Sequence, residues 1–213
     1  DSPIKFSVLK LHNQSGRSRS LSVTGYVEWV LGDLRSKTMM HVTTEVDTAS
    51  GALFARNPYN TEFVDRVVFF DVDDIHRTIT GDRTEFIGRN GNPASPAAMT
   101  RTQLSGKVGA ALDPCAAISV DIELDAGQEK ETIFRLGVTG RRGADDASKT
   151  VKSFRGSTLA QSVLEAVQKY WHRTLGVIQI ETPDATVNML ANGWQLSQTI
   201  SSRLWPRNAY YQS

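Results

Sequence analysis

One cysteine, Cys115, stands in 213 residues, and that scarcity excludes an internal disulfide framework and a cysteine-rich zinc site. It fits a reducing compartment. No apolar run approaches the roughly 20 residues that a membrane-spanning helix requires. The N-terminal Asp1-Ser2-Pro3-Ile4-Lys5 has no basic stretch followed by an apolar one, so no signal peptide is expected. Neither sign of charge is in surplus: 24 Lys and Arg face 23 Asp and Glu, for a formal net charge of +1. That balance gives no electrostatic case for binding nucleic acid or an anionic membrane surface. Histidine is sparse too. His12, His41, His76 and His172 are scattered without metal-ligand spacing and read as structural or surface residues.

What is present, first, is β pattern. Residues 5–12 are rich in β-formers. Residues 21–30 alternate, with Leu21, Val23, Gly25, Val27 and Trp29 on one face. The turn cluster 13–17 between them suggests a hairpin. Residues 39–46 and 52–56 form a further pair around Asp47-Thr48-Ala49-Ser50-Gly51. Residues 66–72 are a nearly continuous apolar run, suited to a strand covered on both faces. The glycine- and proline-rich stretch 85–96 is expected to be a non-helical connection. Residues 116–124 and 131–138, joined by Asp125-Ala126-Gly127-Gln128, suggest a second hairpin. Strands at intervals of about ten residues indicate an antiparallel sandwich or barrel.

Beyond a polar linker at 141–146 the period changes. Leu159, Val163, Ala166, Val167 and Tyr170 fall at helical spacing, with Ser157 or Thr158 as N-cap and Gly176 as a stop. Thr182 and Pro183 suit the start of a second helix carrying Val187, Leu190, Ala191, Trp194, Ile200 and Leu204, which Pro206 ends. The aromatic, polar tail through Tyr210 and Tyr211 has no element of its own. The chain is therefore expected to be a piece of a longer protein, with its chemistry downstream.

Candidate chemistry is thin. Asp71, Asp73 and Asp74 cluster at a strand end, where a general acid could sit, but such clusters are more often solvated turns. Cys115 has no histidine or strongly basic neighbour in sequence to lower its pKa and reads as a buried structural thiol. The Gly88-Arg89-Asn90-Gly91-Asn92-Pro93 run does not join a strand to a helix, so a turn with Asn and Gly at positive φ is a better reading than a phosphate loop. Tyr59, in the polar loop Arg56-Asn57-Pro58-Tyr59-Asn60, is the aromatic whose exposure would have a use.

Several blocks taken together resemble a known family. They are Tyr26-Val27-Glu28-Trp29-Val30-Leu31-Gly32, Ser50-Gly51-Ala52-Leu53-Phe54-Ala55-Arg56-Asn57-Pro58-Tyr59-Asn60, Phe86-Ile87-Gly88-Arg89-Asn90-Gly91 and Leu112-Asp113-Pro114-Cys115-Ala116. Residues 198–203 and Arg207-Asn208-Ala209-Tyr210-Tyr211-Gln212 complete the set. The chain is similar, nearly throughout, to the phosphorylase-like region of cyclic β-1,2-glucan synthases, related to the cellobiose and chitobiose phosphorylases of glycoside hydrolase family 94.

The resemblance implies a mainly β fold: an antiparallel, galactose-mutarotase-like supersandwich over residues 1–142. Linker helices and the start of an (α/α)6 barrel would follow over 143–213. It implies that the sugar-binding run and the general acid of the family lie beyond Ser213, so no residue here inherits a catalytic role. No metal or cofactor is implied, with inorganic phosphate as co-substrate of the parent domain. Implied partners are β-glucan or oligosaccharide, the barrel, and a second copy in a dimer. The implied location is the cytoplasmic face of a bacterial inner membrane, without direct membrane contact by this region. Arg56, Asn57, Tyr59, Arg89 and Asn90, in polar loops within the matched blocks, are the expected saccharide contacts. A self-sufficient carbohydrate-binding module and a dimerisation scaffold remain alternative readings.

Overall fold

The computed structural model describes residues 3–139 and 143–204. It contains two antiparallel sheets, as the strand spacing led us to expect. The five-stranded sheet runs β1 (Ile4–His12), β8 (Glu129–Val138), β5 (Val68–Val72), β4 (Leu53–Arg56) and β3 (Thr43–Val46). The three-stranded sheet runs β2 (Arg19–Glu28), β7 (Pro114–Leu124) and β6 (Arg77–Asp82).

Neither expected long hairpin exists. β1 pairs with β8, and β2 pairs with β7, so the chain changes sheet at each tight connection. The two crossovers lie against each other and Asn13 locks them together. Its amide donates to the carbonyls of Arg17 (2.8 Å), Leu124 (2.9 Å) and Asp125 (2.9 Å). The backbone adds Asn13 N–H to Gln128 O and Gly127 N–H to Asn13 O. Alternating apolar residues on β1 and β2, or β7 and β8, satisfy a hairpin and an inter-sheet arch equally well. The buried amide of Asn13 belongs to the arch. The shorter pair, β3 with β4, is the hairpin that its turn suggested. β6 is a strand that the sequence reading did not single out.

Between the sheets lie Trp29, Leu53, Phe70, Val72, Ile118, Val120, Ile122 and Phe134. Gly25 permits the close approach: a Cβ there would come within 2.6 Å of the Phe134 ring and 2.7 Å of Phe70. The outer face of the large sheet is also buried. Phe54, Phe69 and Val67 pack on Ala147 and Val151 of a helix, α3 (Gly143–Ser153).

Thus part of the expected linker is helical. The compact first unit runs through Ser157 and includes α3, which the sequence reading set beyond residue 142. Two short helices stand earlier in this unit, α1 (Arg35–Thr38) and α2 (Arg83–Ile87). The second overlaps the stretch expected to be non-helical at residues 85–87: Asp82 caps it by accepting from Thr84 N–H, and Gly88 at φ 92° ends it before the proline-rich stretch.

The second unit begins at Thr158 and contains most of α4 (Ser157–Leu175), the expected first helix. The next helix starts differently from expectation. Asp184 caps it, accepting from Thr186 N–H at 2.8 Å, and the helix begins at Ala185. It is also broken. Segments α5 (Ala185–Met189) and α6 (Gln195–Thr199) flank a wide turn where Gly193 has φ 128°. The side chain of Asn192 there bonds both backbone groups of Ile180 instead. The expected aromatic tail at 205–213 lies outside the described residues.

Candidate functional site

A cavity of about 510 Å³ opens at one end of the sandwich. Leu31, Phe63, Val68 and Val138 form its apolar wall; Asp33, Asn57, Asn60, Glu62 and Arg66 supply polar groups. Two asparagines shape the loop that follows β4. Buried Asn57 donates to Leu31 O (2.9 Å) and accepts from Tyr59 N–H (3.0 Å). Leu31 takes φ 41°, an uncommon left-handed conformation for leucine. Asn60 accepts from the N–H groups of Glu62 (3.0 Å) and Phe63 (3.1 Å). The Arg66 guanidinium lies 4.8 Å over the Phe63 ring, a cation–π contact on the cavity rim.

Beside this cavity Tyr59 is 75% exposed. Its ring stacks on His41 at 4.3 Å with an interplanar angle of 22°. One ring supports the other, and an exposed, oriented aromatic remains. The polar-loop argument for Tyr59 therefore locates a supported ring.

The other expected contacts are placed less uniformly. Arg56 ends β4 and pairs with Glu45 on the neighbouring strand. Asn57 lines the cavity but spends its amide on shaping the loop. Arg89 and Asn90 occupy the exposed turn after α2 and contribute nothing to the cavity lining. That turn is built by Gly88 at positive φ and by Gly91, where a Cβ would meet Ile87 O at 2.0 Å. Asn90 is not at positive φ.

The acidic cluster is resolved by its partners. Asp71 is 0% exposed and accepts from Arg77 Nη1 (2.7 Å), Arg155 Nη2 (2.7 Å) and Arg155 Nε (3.0 Å). Asp73 pairs with buried Arg135, and Asp74 caps the turn at His76 N–H. Asp71 is therefore a buried ion-pair hub, contrary to the solvated-turn reading. Burial pushes the Arg135 guanidinium down to about 10, against the upward pull of Asp71.

The charge state of the carboxylates adds a constraint. Asp33, on the cavity, is held below its usual range by its bonds to Lys37 and Leu34 N–H. Burial pushes Glu28, Asp47 and Glu85 up, but hydrogen bonds, joined by nearby arginines at Glu28 and Glu85, outweigh it and leave all three lowered. A general acid must hold its proton at working pH, and these shifts run the other way. Cys115 is 0% exposed, and burial pushes its thiol up, the inert state expected of it. No group of His, Cys, Asp or Glu among the described residues could hold a metal ion.

Two antiparallel sheets packed face to face, with a loop-lined cleft at their end, define the class of domain. Residues 1–157 match the family model described as glycosyl hydrolase 94, supersandwich domain, and the chain belongs to that family. It is 35% identical over 99% of its length to the cyclic beta-(1,2)-glucan synthase NdvB of Rhizobium meliloti, of which it spans 7%. It is 22% identical over 95% of its length to N,N'-diacetylchitobiose phosphorylase of Vibrio furnissii, of which it spans 25%. A 3-O-beta-D-glucopyranosyl-beta-D-glucuronide phosphorylase of Paenibacillus borealis is 27% identical over 54% of this chain and 15% of its own. The chain thus spans a quarter or less of the length of these relatives. Among the described residues, no helix is long and apolar enough to cross a membrane.

Proposed function

We propose that this chain is the sandwich portion of a β-glucan phosphorylase-like domain from a cyclic β-1,2-glucan synthase. In this reading it presents the 57–66 loop to glucan, supports control of chain or ring size, and is inactive alone. The observation that carries the saccharide role is the Tyr59 ring, exposed on one face, stacked on His41 and set beside a cavity with several polar groups. An aromatic face flanked by hydrogen-bonding groups suits the apolar face and hydroxyls of a glucose unit. Catalysis belongs to an (α/α)6 barrel elsewhere in the parent enzyme, with inorganic phosphate as co-substrate, at the cytoplasmic face of the inner membrane. Exposed Tyr170, Val177, Met189 and Trp194 in the second unit give that barrel an apolar surface to cover.

Tyr59→Ala in the intact parent enzyme tests the saccharide role. Losing the stacked ring should weaken affinity for β-1,2-gluco-oligosaccharides about three- to tenfold, since aromatic stacking contributes on the order of 1 kcal/mol. Unchanged affinity and an unchanged chain-length distribution would refute it. The same exposed ring also suits a self-sufficient binding module. Titrating the 213-residue chain with these oligosaccharides separates the two readings, since binding at millimolar concentration or below requires no barrel.

A further inference from the structure

Arginines in the first unit are paired wherever they are shielded from water, with one departure. Arg35, Arg56, Arg77, Arg83, Arg135 and Arg155 are buried or half-buried, and each pairs with a carboxylate. Taking a guanidinium out of water costs free energy unless its charge and its N–H donors are met. Arg66 is half-buried as well, just before β5. Yet among the described residues its guanidinium has neither a carboxylate nor a hydrogen-bond acceptor, and its side-chain contact is the Phe63 ring.

A turn brings the two side chains together, since Arg66 N–H donates to Phe63 O at 3.0 Å. The ring answers part of the positive charge but leaves the guanidinium's five N–H donors unmatched. The nearby carboxylates do not meet them. Asp33, on the same cavity, is engaged by Lys37 and by Leu34 N–H. Glu62 and Asp65 are exposed on the same loop, and neither forms an ion pair among the described residues.

A second unmatched donor lines the same space. The Oδ1 atom of Asn60 accepts from the N–H groups of Glu62 and Phe63, which fixes the amide. Its Nδ2 has no acceptor among the described residues, and Asn60 lines the cavity with Arg66. Leu31, Phe63, Val68 and Val138 give that cavity an apolar wall, and about 510 Å³ is within the range of small-molecule sites. A mostly apolar pocket with a few unmatched donors, one of them cationic, suits a ligand that brings an anion.

We propose that this cavity takes a sugar carrying an oxyanion, a hexose phosphate or a hexuronate. The oxyanion would accept two parallel N–H bonds from Arg66, the pairing that a planar guanidinium makes with phosphate and carboxylate. Asn60 Nδ2 would donate to the anion or to a neighbouring hydroxyl, and the apolar wall would cover one face of the ring. A neutral glucan brings no charge for that guanidinium, so an anionic ligand adds to the saccharide role of Tyr59. Only the choice of a sugar ring rests on that reading; the anion contact stands on Arg66.

The test is NMR on the isotope-labelled 213-residue chain in phosphate-free buffer, titrated in turn with glucose 1-phosphate, glucuronate, glucose and inorganic phosphate. One or both sugar anions should shift the amides of residues 60–66 and the Arg66 Nε–H, and the stronger response selects phosphate or carboxylate. Glucose and inorganic phosphate should each bind about tenfold more weakly. Arg66→Met keeps an apolar stem over Phe63, so it should melt like the parent chain while weakening the sugar anions about tenfold. Four results overturn the proposal: no shift by about 20 mM sugar anion, glucose binding as tightly as the anions, inorganic phosphate binding as tightly as glucose 1-phosphate (an adventitious ion only), or binding that survives Arg66→Met. The glucan reading fails separately. Glucose matching the anions leaves it standing, whereas β-1,2-gluco-oligosaccharides that do not bind where sugar anions do would remove it alone.

Discussion

Replacing Asp71 with asparagine is the sharpest probe of what holds the first unit together. In the native cluster Arg77, Arg135 and Arg155 share Asp71 and Asp73, three positive charges against two negative. Asp71→Asn leaves three guanidinium groups facing one carboxylate, with Asp71 and Arg135 fully buried. Breaking a buried pair by removing one partner costs about 3–5 kcal/mol, because an uncompensated charge stays behind. Arg155→Met is the informative contrast. It leaves two charges of each sign, and Arg155 lies at the rim, so the loss should be about 1–2 kcal/mol. With a urea slope of about 2 kcal/mol/M, the midpoint should fall by roughly 2 M for Asp71→Asn and by 0.5–1 M for Arg155→Met. The assay is equilibrium unfolding followed by the far-UV signal, with slopes compared. A fall below about 0.5 M for Asp71→Asn, or equal falls for both variants, would refute the charge-balance reasoning.

Three other outcomes are expected. Glu85 accepts hydrogen bonds from Thr80, Ser105 and Arg101, and its lowered pKa means that its contribution is present above the unfolded value of about 4.3 and lost as pH falls through the folded one. Glu85→Gln should therefore flatten the loss of stability below about pH 4.3, read as urea midpoint against pH. Gly25→Ala should destabilise the sandwich by about 1–3 kcal/mol in the same assay, since its methyl group meets two core rings. Cys115 should resist a thiol reagent in the folded chain and react at once in urea; rapid labelling under native conditions would contradict its burial.

Much of the fold was legible along the chain because the signals are local. Alternation located β2, β7 and β8, and the apolar run at 66–72 marked β5, which is paired on both edges. The helical spacing from Leu159 to Tyr170 located α4. β6 was missed because its residues, Arg77-Thr78-Ile79-Thr80-Gly81-Asp82, carry a single large apolar side chain. At the candidate site, Tyr59 and Asn57 could be reached from loop composition, but the cavity wall could not. Leu31, Phe63 and Val138 meet there from segments far apart in sequence.

By itself the sequence determined an antiparallel sandwich, the helices that follow it, the absence of a disulfide framework and the family to which the chain belongs. The first three rest on residue type and short-range period, which the backbone geometry of strands and helices imposes directly, and the family rests on the matched blocks of residues. Only the tertiary structure decided that the tight turns join sheets rather than neighbouring strands, and that Asp71 is a buried hub. Alternating side chains specify a buried face but not which strand lies beside it. That choice is made by pairing and packing between residues more than a hundred positions apart, such as Asn13 and Leu124.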